Sequence, residues 1–244
     1  MITAHRLRTR PRRIGLLAPF AELPGEYVDV IAEASEPAIA WQVVTESPDS
    51  HEIPDLRSMG SDESLMTGAE RLKRWRPDIV MWACTSGSFV LGRAGASHQA
   101  ALLESSSGVP ASSTSLAFAE ALGWLGCTTV SLLSPYPEAA TQAFLAFLHE
   151  CGIRVADATH LDHSGARSSE LLDAQTVRSA ISGFRTDCPV LLPDTAVWGF
   201  AILKELEGET HELLVANQVT LWQAFRMLGL STRSSCFGLL TGRG

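Results

Sequence analysis

The 244-residue chain has few cysteines, no long apolar run and no excess of positive charge. Its cysteines are Cys84, Cys127, Cys151, Cys188 and Cys236, an odd number with no C-x-x-C pair. This argues against a disulfide framework and against a thiolate zinc site, and makes a reducing, cytoplasmic setting the expectation. No apolar stretch reaches the roughly eighteen residues of a membrane span. The net charge of −8 speaks against a nucleic-acid-binding body, so an anion site has to be built locally. No phosphate loop of the G-x-x-x-x-G-K type occurs, and the glycines are out of dinucleotide register, so no organic cofactor is implied. Of seven histidines only His160 and His163 are close, in "THLDHSG", which reads as a polar loop; no metal is expected. The basic start "MITAHRLRTRPRR" is followed by no apolar region, and reads as a frayed leader, not a secretory signal.

What the chain does have is alternation. Short apolar runs bounded by turn residues read as strands at 13–19, 40–46, 78–84, 128–136, 153–158, 188–194 and 211–217. Helical patterns lie between them, at 61–75, 97–106, 115–125, 137–151, 170–184, 196–207 and 219–228. Strand and helix in turn make an α/β chain with largely parallel sheets.

The second half echoes the first. "RIGLLAP" is matched by "TVSLLSP", "DIVMWACTSGS" by "CPVLLPDTAVW", and "GVPASSTSLAFAEALGWLG" by "HELLVANQVTLWQAFRMLGL". Cys84 then faces Asp194, and Gly123 faces Gly229 at nearly the same spacing, as a duplication with small insertions requires. The expected fold is two pseudo-symmetric Rossmann-like (flavodoxin-like) halves, each with a mostly parallel four-stranded sheet. The halves are placed at 12–118 and 119–216, with 217–244 as a C-terminal helix and tail packing back on the first half. Open parallel sheets bind ligands at the carboxyl ends of their strands. The expected site is therefore the cleft between the halves, with Cys84 approaching from one side and Asp194 from the other.

A cysteine at a strand end before a Gly/Ser/Thr loop suits a reactive thiolate; the alternative is a small hydrophobe in the core. Asp194 is an acid if its carboxyl is held neutral, or a cap for the helix that follows. Tyr136, one of only two tyrosines, stands at a strand end between prolines and offers a phenolic donor, unless it is an inert turn residue. Asn217 is either a ligand or a cap, and "SST" at 112–114 leaves the same choice open. Phe20 is a candidate wall of the cleft, and Glu22 lies on the loop beside it. His98 and Gln99, on an expected helix, receive no role.

With "RIGLLAP", "WACTSGS", "SPYPEAATQAFLAFL", "LLPDTAV" and "ANQVTLWQAF" on the page, a resemblance emerges over residues 12–230. The chain resembles the Asp/Glu/hydantoin racemase superfamily, on the branch of maleate cis-trans isomerases and arylmalonate decarboxylases. That resemblance implies a cofactor-independent enzyme with one cysteine position per half. Cys84 takes the first, as nucleophile or base. Thr85, Ser86 and Gly87 match the loop whose N–H groups hold a carboxylate, Tyr136 matches a carboxylate-binding tyrosine, and Asn217 a polar residue of the final cluster. Thr195 and Ala196 take the matching place after Asp194. The departures are Asp194 at the second cysteine position, and Phe20, Ala21 and Glu22 where serine and asparagine are usual. The function expected is isomerisation or racemisation next to the carboxylate of a small acid, with Asp194 as the opposing acid. Decarboxylation of a malonate-type acid, or small-acid binding without chemistry, are the alternatives. The partner is a small carboxylic acid, not nucleic acid or membrane, and a homo-oligomer is the default.

Overall fold

The apolar runs build two sheets. A computed structural model describes residues 10–19, 25–32, 38–45 and 47–241. In the first half β1 (Arg12–Ala18), α1 (Glu26–Ala32), β2 (Ala38–Val44), α2 (Ile53–Met59) and α3 (Asp62–Lys73) come in order. They are followed by β3 (Ile79–Trp82), α4 (Ser86–Phe89), α5 (Gly92–Ser107), β4 (Ala111–Ser113) and α6 (Thr114–Leu125). The second half runs β5 (Thr129–Ser134), α7 (Glu138–Glu150), β6 (Arg154–His160), α8 (Ala166–Ser169), α9 (Ala174–Ile181), β7 (Val190–Leu192), α10 (Gly199–Glu205) and β8 (Leu213–Val215). Then α11 (Ala216–Met227) and a 3₁₀ segment, Ser235–Leu240, complete the described chain.

The sheet orders are β2-β1-β3-β4 and β6-β5-β7-β8, and every pairing is parallel. Each pair of matched sequence blocks occupies the same place in its own sheet, so the two halves have one topology. The inner strands are covered on both faces, which explains their unbroken apolar runs: β3 and β7 are buried at every residue, as is β8 at the edge of its sheet. Along β5 successive side chains serve two cores. Leu132 joins a cluster that also holds Ile14, Trp82 and Trp222, while Leu133 joins a second with Val177, Leu192 and Ile202. The larger cluster runs through both halves.

Local chemistry sets the helix limits. Ser61, Ser113 and Asp173 each accept a backbone N–H three residues on, at the starts of α3, α6 and α9. Asp173 thereby trims the helix expected over 170–184 to Ala174–Ile181. Ser113 settles the open choice at "SST" locally: it caps α6 and its hydroxyl pairs with Ser88 Oγ at 2.9 Å. The helices α1 and α2, absent from the periodicity reading, each carry only two to four buried residues. Among the described residues no helix is long and apolar enough to cross a membrane.

Candidate active site

All strands being parallel, each half presents its strand ends on one side, and the two sides meet. The loop after β2 touches the loop after β6: the His51 N–H donates to Ser164 O at 2.8 Å. The end of β3 touches the end of β7: the Thr195 hydroxyl donates to Ala83 O at 3.2 Å. The starts of α6 and α11 touch as well, through Thr114 Oγ1 and Thr220 Oγ1 at 2.7 Å. Cys84 and Asp194 sit inside this ring of contacts, 3 % and 6 % exposed.

Cys84 follows β3 directly. The Ala83 N–H is fixed on Leu17 O of β1 at 2.8 Å, and the Thr85 carbonyl accepts from the Ser115 hydroxyl at 2.8 Å. The Gly87 N–H donates to Cys84 Sγ at 3.3 Å, with Ser86 Oγ at 3.9 Å and Met59 Sδ at 3.6 Å. A side chain on Gly87 would crowd both Sγ and Trp82, so glycine is what lets this amide reach the sulfur. The same loop is braced by Gln99, whose amide donates to Gly60 O and Gly87 O, each at 2.8 Å. Gln99 thus has a role that its place on a helix did not reveal.

Burial pushes the Cys84 thiol up to about 12, and the nearby Asp194 carboxylate adds to this; the Gly87 amide and Ser86 hydroxyl oppose it. The resting residue is therefore a thiol at neutral pH. Alkylation follows the thiolate fraction, so iodoacetamide at pH 7.5 should modify Cys84 about a thousandfold more slowly than an unperturbed cysteine. Cys127, Cys151, Cys188 and Cys236 are all less buried. Peptide mapping by mass spectrometry reads the order directly; Cys84 reacting among the first would contradict a buried thiol.

Asp194 follows β7. Its Oδ1 accepts the Ala196 N–H at 3.0 Å, and the Asp194 carbonyl accepts the Val197 N–H at 3.3 Å. The carboxylate thus closes a turn. The helix expected from 196 starts only at Gly199, with Trp198 as its cap. Oδ2 is buried without a hydrogen bond. It lies 3.7 Å from Nε2 of His51. Tyr136 is fully buried, its ring edge-on to His51 at 4.8 Å and to Phe89 at 5.4 Å. Burial holds its phenol well above the usual range, with the Asp194 and Cys84 charges adding to the effect. Tyr136 Oη and Thr85 Oγ1 also lack a well-formed hydrogen bond, although Thr85 and Ser86 stand close enough to Tyr136 to oppose that rise. Buried polar atoms are normally satisfied. Unsatisfied polar atoms near one buried thiol are what a polar ligand would satisfy.

The expected residues divide. Cys84, Thr85, Ser86, Gly87, Tyr136, Asp194, Thr195 and Ala196 are brought together, although the Thr195 hydroxyl and the Ala196 amide already have protein partners. Asn217, expected as a ligand, is held within the protein. It lies in the first turn of α11, where its Nδ2 donates to Glu26 Oε1 at 2.7 Å and Val197 O at 2.9 Å, and its Oδ1 accepts the Tyr27 hydroxyl at 2.8 Å. Both amide protons are spent on the fold. Phe20 and Glu22 lie outside the described residues.

The sequence reading missed His51. It stands in no matched strand-end block, but it does lie in the loop beyond the carboxyl end of β2, which the strand-end rule covers equally. His160 and His163 hold no metal-like cluster: His160 faces Glu138 and Asp162, and the His163 ring faces Ser169. Among the described residues no three acids, cysteines or histidines are grouped to hold a metal ion.

A family model described as arylmalonate decarboxylase matches residues 59–241. Comparison with curated protein sequences gives no match. Among solved structures, the maleate isomerase Iso from Pseudomonas putida S16 with maleate aligns at a TM-score of 0.84 and 20 % identity, covering 96 % of this chain and 99 % of that one. A doubly substituted arylmalonate decarboxylase in the liganded form aligns at 0.81 and 22 %, covering 96 % and 100 %. A Nocardia farcinica maleate cis-trans isomerase variant with a covalently bound succinylcysteine intermediate aligns at 0.84 and 17 %, covering 94 % and 98 %.

Proposed function

Because the chain belongs to the arylmalonate decarboxylase family, we propose that it is a cofactor-independent isomerase or racemase, acting on a carbon next to the carboxylate of a small acid. The observation that carries this reading is the placement of Cys84 and Asp194 at equivalent strand ends, both buried, with the Thr85 and Tyr136 hydroxyls beside them and free of well-formed hydrogen bonds. Two O–H donors suit one substrate carboxylate. The reacting carbon then lies between thiol and carboxyl.

The chemistry needs the Cys84 proton to move. It passes to the second-half carboxylate, leaving a thiolate on the Gly87 amide. Loss of the Asp194 charge removes one of the causes that hold the thiol up. The thiolate then either takes the substrate's C–H proton or forms a carbon–sulfur bond, as in the succinylcysteine form of the Nocardia farcinica isomerase. In the first case Asp194 delivers its proton to the carbanion from the opposite face, which leaves Cys84 a thiol and Asp194 a carboxylate again. In the second Asp194 protonates the carbon beside the one that bears sulfur, the bond between the two carbons turns, return of a proton to Asp194 expels the thiolate, and the thiolate takes that proton back. While ionised, Asp194 disfavours a second carboxylate on its side, which points to acids with a single anchoring carboxylate.

A second reading, decarboxylation, is favoured by the neutral thiol, since that reaction asks of the protein one proton donor for the carbanion left behind. Proton NMR in D₂O separates the two on a panel of malonates, maleate, hydantoins, amino acids and N-acyl-amino acids. Deuterium appearing next to an intact carboxylate supports isomerisation or racemisation. Loss of that carboxylate supports decarboxylation. Ligand broadening with no exchange and no product would leave a binding protein.

A further inference from the structure

His51 has no counterpart among the motif residues, yet it is 4 % exposed and faces the catalytic carboxylate. Its Nδ1 lies 2.7 Å from the carbonyl oxygen of His163. A carbonyl only accepts, so Nδ1 carries a hydrogen and Nε2 is left toward Asp194. At 3.7 Å, Nε2 and Oδ2 cannot both present lone pairs without repulsion, and Oδ2 has no other partner. The gap between them is a seat for one proton. We infer that His51 is a positioning residue that stores, through Asp194, the proton exchanged with Cys84.

The step balances. The Cys84 S–H proton passes to Asp194 Oδ2, and the Nε2 lone pair takes it up, giving imidazolium beside carboxylate. On its return the proton passes from Nε2 to Asp194 and then to the substrate carbon, whose electron pair forms the new C–H bond. Imidazole holds a proton near neutral pH far better than a carboxylate does. His51 therefore lets Asp194 serve as the acid of the second half. The titratable groups set against it are Asp194, the Tyr136 ring, His163 on the loop after β6 and, beyond Asp194, Cys84.

The inference deepens the proposed reaction and rests on it, but its first test needs no substrate. In protein labelled with ¹⁵N-histidine, neutral His51 is expected as the Nδ1–H tautomer. Its second proton should be lost at least one pH unit higher in wild type than in Asp194→Asn, a tenfold difference in proton affinity. The Nε2–H tautomer, or equal titration in both proteins, overturns the pair. On the substrate found by the deuterium panel, His51→Gln should lower kcat at least tenfold, leave KM within threefold and shift the pH profile. An unchanged profile overturns the storage role. No turnover across the panel sinks the proposed reaction instead, and the NMR comparison still decides the pair.

Discussion

Cys84→Ala is expected to abolish turnover, by at least about a thousandfold, equal to roughly 4 kcal/mol of barrier, while the protein stays folded. The lost sulfur sits against Met59 and the Gly87 amide, so the cavity left is small. A cost of about 1 kcal/mol, or roughly 2–4 °C in melting temperature, is the scale for such a deletion in a chain of this length. Cys84→Ser restores the volume and an acceptor for Gly87, but a hydroxyl is far harder to ionise, so activity should not return. Deuterium exchange and thermal unfolding on the same samples check both halves of the statement; full activity in the alanine variant would end the catalytic role. Stability carries its own mark of the buried thiol. Its folded pKa is raised, so its contribution is present below the unfolded value near 8.5 and is lost as pH climbs toward about 12. Cys84→Ala should flatten that alkaline decline.

The largest effect on folding is expected at Asn217. Its amide ties α11 to α1 and to the loop before α10 through three buried hydrogen bonds. Alanine would remove a partner from the Val197 carbonyl, from one oxygen of Glu26 and from the Tyr27 hydroxyl, which keeps Thr220 beside it. At about 1–3 kcal/mol for each orphaned group, with partial relaxation, the loss should come to about 3–5 kcal/mol. Chemical denaturation measures it, and a loss under about 1 kcal/mol would show that the network is dispensable. The loss should also depend on pH. Burial raises Glu26, and the hydrogen bond from Asn217 is the largest of the opposing causes, followed by amides at the start of α10. A raised carboxyl contributes stability below its unfolded value, and loses it as pH rises through the folded one. Removing Asn217 raises Glu26 further, so the defect should be larger at pH 7 than at pH 4.

Asn217 also shows where the sequence was legible. The architecture could be read because buried parallel strands leave unbroken apolar runs, and because the duplication put "WACTSGS" and "LLPDTAV" at equivalent places. That Cys84, Asp194 and Tyr136 lie near one another could be read for the same reason: they follow strand ends. Asn217 obeys that pattern too, yet it braces the fold, since its partners Glu26 and Tyr27 lie about 190 residues away and no local pattern announces them. His51 is the converse case. Nothing beside it in the chain marks it, and its meaning comes from Asp194 and from the His163 carbonyl across the interface. Gln99 likewise looks like any polar residue on a helix until Gly60 and Gly87 are brought under its amide. Side chains that act on distant backbone leave little periodic trace.

The two halves share one topology but differ in what stands at the matched strand ends: sulfur in one, oxygen in the other. A scaffold of near twofold symmetry thereby holds an asymmetric pair of groups. In the proposed reaction a planar carbon between them would have a thiol face and a carboxyl face, two different proton donors. If the reaction is the decarboxylation of the second reading, the handedness of the product is expected to follow the face that carries the proton donor, and exchanging the residues at 84 and 194 is the change expected to turn it over.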